Sequence, residues 1–284
     1  MNMKQKKKIG FIGGDKRITC LHDMIKNEGY DTKTYLTDCN DNSDQLPKCF
    51  EEEIIIGPVP LVKPFPYLNA KNGVRENIFE IIERMKPGGI FAAGVIPDQL
   101  IRAASEREIA IFDYAESEEF QILNARLTAE GAVKIALDNG KRSLCDSHVL
   151  IIGYGRIGKA LCNTLSGFHC KLTITARKTS DLSYITINGL DGLHTDDIHK
   201  VVGLFDIIIN TVPAPVITKE VLDRVKSDVL IIDLASLPGG TDFDYAKSKG
   251  IKYDHALSIP GKFFFYSASS VIYKILHNIL EIGV

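Results

Sequence analysis

Between Ser147 and Arg177 the chain reads SHVLIIGYGRIGKALCNTLSGFHCKLTITAR, and its glycine spacing is the pattern most directly tied to chemistry. Val149-Leu150-Ile151-Ile152 is a short apolar, β-branched run suited to a strand buried on both faces. It leads into Gly153-Tyr154-Gly155-Arg156-Ile157-Gly158 and then into a stretch with helical spacing. That is G-x-G-x-x-G between strand and helix, the context in which the pattern marks a dinucleotide site. Gly153 permits the tight turn, Gly155 lets backbone approach a pyrophosphate, and Gly158 lets the helix pack closely on the strand. Unpaired N–H groups and the macrodipole then favour the diphosphate at the helix start.

The following strand, residues 171–176, ends in Arg177-Lys178. A site selective for NAD usually carries Asp or Glu there, accepting hydrogen bonds from the ribose 2′-OH. A carboxylate repels a 2′-phosphate, whereas a guanidinium binds it through two parallel hydrogen bonds. Arg177 and Lys178, next to Thr179 and Ser180, therefore read as an NADP site. The competing reading makes Arg177 a solvated strand-end cation.

Strands and helices alternate around these residues, which predicts parallel sheets. Strand-like runs at 8–12, 31–36, 53–57, 90–93 and 109–112 are separated by helical stretches through Leu21, Met24 and Ile25 to a stop at Gly29, and near 77–85 and 97–106. They give a flavodoxin-like first domain whose Gly13-Gly14-Asp15 turn could place an anion beside Arg17, or simply cap the helix through Asp15. Four prolines between Pro58 and Pro66 make a stiff loop carrying Lys63. Residues 117–139 hold one glycine and no proline, which predicts a long connector helix. After the fingerprint, strands at 206–210, 229–233 and 251–253 continue a Rossmann sheet, and residues 255–262 read as a loop containing Lys262. The fold class is α/β with two doubly wound parallel-sheet domains: a flavodoxin-like N-terminal domain at 1–120 and a Rossmann NAD(P)-binding domain at 121–284. The last helix, about 267–282, is expected to pack back on the first domain.

At 284 residues, 45% hydrophobic and 25% charged, the chain has the composition of a soluble globular protein. A net charge of −2 offers no broad attraction for nucleic acid or anionic membrane. The basic start is followed by only Ile9 to Ile12 before glycines intervene, too short for a signal or a membrane span. The six cysteines and seven histidines show no metal spacing, so no metal is expected and the thiols read as reduced and cytoplasmic.

Taken in order, TAEGA, GYGRIGKAL, NTVPAPV, IIDLASLPGGTDF and PGK before a terminal helix resemble the A subunit of bacterial dipicolinate synthase, as do the opening GGDKR and the PVPL loop. The resemblance covers nearly the whole length. It implies an NADP-dependent oxidation of a dihydrodipicolinate-level product of lysine biosynthesis to dipicolinate, in the mother-cell cytoplasm of a sporulating bacterium. It also implies that the partner is a separately encoded B subunit, and a homo-oligomer is expected. By the same resemblance Gly153, Gly155, Arg156, Ile157 and Gly158 form the phosphate loop, and Arg177 and Lys178 its basic pair. Asn210, Thr211 and Pro213 stand beside the nicotinamide ribose, with Asp233 and Ser236 across from them. Two stretches depart from the family: Phe263-Phe264-Phe265-Tyr266, and Ser180 to Asn188, which looks less helical.

A dihydropyridine dicarboxylate needs cations for two carboxylates, and Arg17, Lys63 and Lys262 are the candidates. No catalytic base stands out. Two other readings compete. One is a two-domain NADP dehydrogenase of the shikimate or methylene-tetrahydrofolate kind; the other is a cofactor-loaded scaffold that needs its partner for catalysis.

Overall fold

The computed structural model describes residues 7–38, 52–70 and 74–281 and divides into two compact units, Met1–Asn124 with Phe264–Val284, and Ala125–Phe263. Residues 1–6, with the basic start, and the thiols of Cys39 and Cys49 lie outside the described residues. Among the described residues, no helix is long and apolar enough to cross a membrane, and no metal-like cluster gathers.

In the first unit β1 (Lys8–Ile12), α1 (Lys16–Asn27), β2 (Asp31–Tyr35), β3 (Ile54–Ile56), α2 (Ile78–Arg84), β4 (Ile90–Ala93), α3 (Asp98–Ser105) and β5 (Ala110–Asp113) follow one another. Helix α4 (Glu118–Asn139) then begins in this unit and ends in the other. The parallel strands are ordered β2-β1-β3-β4-β5, the flavodoxin-like arrangement, which reverses between β1 and β3. Alternate residues enter opposite layers: Ile54 and Ile56 join Ile9 and Phe11, while Ile55 joins Ile12 and Phe91. Both faces are covered, which is why these strands read as continuous apolar runs.

The second unit contains β6 (His148–Ile152), α5 (Arg156–Ser166), β7 (Lys171–Ala176), α6 (Thr179–Ile187), β8 (Asp191–His194), α7 (Ile198–Val201), β9 (Ile207–Asn210), α8 (Lys219–Leu222), β10 (Leu230–Asp233), α9 (Phe243–Ser248), β11 (Lys252–His255) and α10 (Ile259–Phe263). Its parallel sheet runs β11-β10-β9-β6-β7-β8, the doubly wound Rossmann order, with the reversal between β6 and β9. Ligands of such sheets bind outside the carboxyl ends of the strands at that reversal.

Two segments differ from the sequence-based expectation. Residues 180–187 are helical, as α6, because Ile185 and Leu182 reach the core beside Leu161 and Ile174. Lys262 lies in the short helix α10 rather than in a loop. The helix α11 (Phe265–Glu281) belongs with the first unit, and the second unit stops at Phe263. Ile272, Ile275 and Leu276 form an apolar stripe at helical spacing that packs with Ile18, Leu21 and Ile25 of α1. At the centre of this contact Ser269 is fully buried, its Oγ 2.7 Å from the carbonyl oxygens of Arg17 and Phe265.

Replacing that hydroxyl by hydrogen, Ser269→Ala, should cost about 1 kcal/mol, seen as roughly fivefold faster exchange of the most protected α1 amides. Unchanged protection would show that the hydroxyl contributes nothing beyond the apolar stripe.

Candidate functional site

The turn leaving β6 carries three glycines with different reasons for being there. Gly153 has φ +99°, and a Cβ on it would stand 2.6 Å from Thr211 Oγ1 and 2.8 Å from Val212 Cγ2. A Cβ on Gly158 would lie 2.0 Å from the Gly153 carbonyl oxygen, so α5 could not sit so close to the strand. Gly155 differs: it caps α5 without a side-chain hydrogen bond, and a Cβ there would meet nothing within 4 Å. The chain's own packing demands the first two. The bare third position fits a ligand approaching from outside, and a diphosphate at this helix start fits that space and the field of the helix. Ile157 packs on the core while Arg156 is exposed, and Lys159 Nζ lies 5.3 Å from the centre of the Tyr154 ring. Burial pushes the Cys162 thiol up to about 12, so it serves as a core packing group.

Next in the sheet, β7 ends at Ala176, and Arg177 and Lys178 are both exposed. Lys178 is the N-cap of α6 and no side chain caps that helix. Two cations and an uncapped helix start thus adjoin one another, an arrangement that favours a dianionic phosphate. Thr175, fully buried, accepts a hydrogen bond on its carbonyl from Gly153 N at 3.1 Å and links this exit to the glycine turn.

The tips of β9 and β10 carry two of the expected cofactor residues in buried positions. Asn210 and Asp233 are fully buried, and Asn210 Nδ2 donates to Asp233 Oδ1 at 3.0 Å and to the Val212 carbonyl at 3.1 Å. Asn210 Oδ1 accepts from Val212 N at 3.0 Å. Asp233 also accepts from Ala235 N and Gly240 N, both at 3.0 Å, and from Thr241 Oγ1 at 2.6 Å. Both side chains are thus held by partners inside the protein and shape the two loops. Thr211 is also engaged, donating its hydroxyl to the Ile152 carbonyl at 2.8 Å. Pro213 and Ser236 remain exposed on these loops. His255 Nε2 lies 3.2 Å from the Ala235 carbonyl, and the ring stacks on Phe243 at 4.6 Å, a structural setting.

In the first unit Arg17 is engaged within the protein. Its side chain is 11% exposed; Nε and Nη2 each donate to the Asp15 carboxylate at 2.9 Å, and Nη2 donates to the Val59 carbonyl at 2.7 Å. Asp15 at the same time caps α1 by accepting from Arg17 N at 3.0 Å. The carboxylate an anion would have provided is thus already in place, and Arg17 ties the β1 turn to the proline-rich loop after β3. Lys63, on that loop, is exposed, and so is Lys262 on α10. Nothing in the sequence pattern singled out Val59, since its partner Arg17 lies far along the chain.

The glycine geometry makes a paired prediction. Gly155→Ala should cost only about 1 kcal/mol of stability, the loss of a favoured cap residue, yet weaken dinucleotide binding at least about tenfold. Gly158→Ala should lower both binding and stability, by several kcal/mol of displaced packing. Equal dinucleotide affinity in Gly155→Ala, measured by calorimetric titration, would remove the cradle.

Comparison with known proteins agrees with this geometry. The pattern of the N-terminal domain of the dipicolinate synthase A subunit matches residues 8–115, and the NAD-binding domain pattern of the D-isomer specific 2-hydroxyacid dehydrogenases matches residues 119–236. The dipicolinate synthase A subunit of Bacillus subtilis is 30% identical over 70% of this chain and 67% of its own. The crystal structure of the Bacillus subtilis protein superposes with a TM-score of 0.84 at 27% identity, covering 98% of this chain and 97% of that one. Its counterpart from Bacillus halodurans shares the fold, with a TM-score of 0.86 at 23% identity over 97% of this chain and 98% of the other. The chain belongs to the family of dipicolinate synthase A subunits and is an oxidoreductase with a nicotinamide-dinucleotide-binding domain.

Proposed function

We propose that the chain uses NADP to oxidise a dihydrodipicolinate-level intermediate of lysine biosynthesis to dipicolinate, in the mother-cell cytoplasm and together with a B subunit. The observation behind this reading is that a glycine-bared helix start and the exposed pair Arg177 and Lys178 adjoin on neighbouring strands. The Bacillus subtilis relative, by name a dipicolinate synthase, supplies the substrate class.

A nicotinamide cofactor, when bound, supplies the two-electron acceptor. Aromatising a dihydropyridine dicarboxylate removes one hydride and one proton, and the gain in aromaticity drives the step forward. The chain's own residues therefore have to bind and orient rather than to force a difficult proton transfer. Gly155 and the first turn of α5 hold the diphosphate; Arg177 and Lys178 take the 2′-phosphate. Lys63 and Lys262 are the cations for the substrate carboxylates. Arg17 acts one step back, fixing the loop that carries Lys63 through the Val59 carbonyl.

Arg177→Ala should weaken NADP binding about tenfold or more while NAD changes less than about twofold, in a fluorescence titration. A native chain that holds NAD as firmly as NADP would overturn the cofactor choice. Lys63→Ala should raise KM for dihydrodipicolinate about tenfold and leave the NADP Kd unchanged; a normal KM would release Lys63 from the substrate site. The purified chain mixed with NADP and enzymatically made dihydrodipicolinate tests the reaction itself. Dipicolinate absorbance without partner supports a self-sufficient enzyme, absorbance only once the B subunit is added supports a shared site, and none in either mixture rejects the reaction.

A further inference from the structure

We infer that His194 is a positioning residue for cofactor choice, holding the end of β7 so that Arg177 presents its guanidinium to the 2′-phosphate; this rests on the NADP reading above. Strand β8 runs parallel to β7 at the edge of the sheet, and their last paired residues are Ala176 and His194. Beyond that pair the ladder ends, and the Arg177 carbonyl has no strand partner in register. A side chain takes over the rung: His194 Nε2 lies 3.1 Å from the Arg177 oxygen. On the other side of the ring, Asp196 N lies 3.4 Å from Nδ1, and the ring so caps the turn after β8.

A carbonyl can only accept, so Nε2 carries the proton it shares with the Arg177 oxygen. Nδ1 faces both the Asp196 N–H at 3.4 Å and the Asp196 carboxylate at 3.6 Å. The ring is thereby engaged at both nitrogens, and it fixes the backbone of the residue whose side chain selects the cofactor. A second link runs alongside. Thr195 Oγ1 lies 3.4 Å from Thr175 Oγ1, which is 3.4 Å from Gly153 N. The end of β8 thus braces both the diphosphate turn and the exit at Arg177. Bidentate phosphate binding depends on the direction of the guanidinium plane, so freedom at the Arg177 backbone lowers selectivity before it lowers anything else.

The test is a set of titrations on the full chain with NADP, NAD and adenosine 2′,5′-bisphosphate, for the native protein, His194→Ala, His194→Gln, Arg177→Ala and the double variant with both alanines. His194→Ala should weaken NADP and the bisphosphate about fivefold to tenfold and change NAD less than about twofold. Gln, whose amide N–H can reach the same carbonyl, should restore NADP binding to within about twofold of native. In the Arg177→Ala background the His194 change should add no further loss, since it works through Arg177. Native NADP affinity in His194→Ala, alongside a clear loss in Arg177→Ala, would overturn the inference. So would an equal loss of NAD and NADP, the mark of general structural support, or a full additional loss in the double variant, the mark of direct phosphate contact. If Arg177→Ala itself is silent and the native chain does not discriminate, the cofactor reading has failed and this inference falls with it.

Discussion

The second unit depends on how closely α5 lies against the turn that leaves β6. The Gly158 position comes so near the Gly153 carbonyl that one methyl group would have to occupy space 2.0 Å from an oxygen atom. What pulls the helix down is burial: Leu161 and Leu165 are fully inaccessible against Ile151 and Ile174, each contributing on the order of 2 kcal/mol. What the closeness achieves is placement, because the helix then starts directly over the end of the central strand. The positive end of its dipole faces the reversal between β6 and β9, where a sheet of this order takes its ligand. Glycine at 155 then keeps that end bare.

Burial sorts the charged and polar residues around the strand tips into two groups. Asp233 and Asn210 are fully enclosed, and an enclosed carboxylate is tolerable only when donors surround it. Asp233 has Asn210, Ala235, Gly240 and Thr241 as donors, which fastens the tip of β9 to the loop after β10. Asp15 and Arg17 do the same in the first unit, joining the β1 turn to the loop that follows β3. The bonds these groups make keep loops in place. Arg177, Lys178 and Lys63 stay exposed, and it is to them that we assign the proposed recognition of phosphate and carboxylate.

The two sheets illustrate different uses of the same architecture. In both, continuous isoleucine-rich strands are covered on both faces, and loops gather at the carboxyl ends. In the first unit the helix after β1 is capped by its own aspartate, which closes that helix start to an outside anion. In the second unit the helix after β6 is capped by glycine and left open. One side chain at the cap separates a helix start that serves the fold from one that serves a ligand.

Much of this was legible along the chain. The apolar runs ending in glycine or proline gave both sheets and their strand order, and the glycine spacing marked the tight turn between β6 and α5. Those features are local, since a strand, a turn and a helix start are each written within a few neighbouring residues. Partnerships across long separations were not legible. That Asp233 would take a donor from Asn210, that Arg17 would reach the Val59 carbonyl, and that Leu182 and Ile185 would pack beside Leu161 followed from packing between segments separated along the chain. The sequence by itself determined which elements form and where an anion can be gripped. The tertiary structure decided which charged side chains remain free to grip it, because burial and hydrogen-bond saturation are properties of neighbours in space and not of residue type.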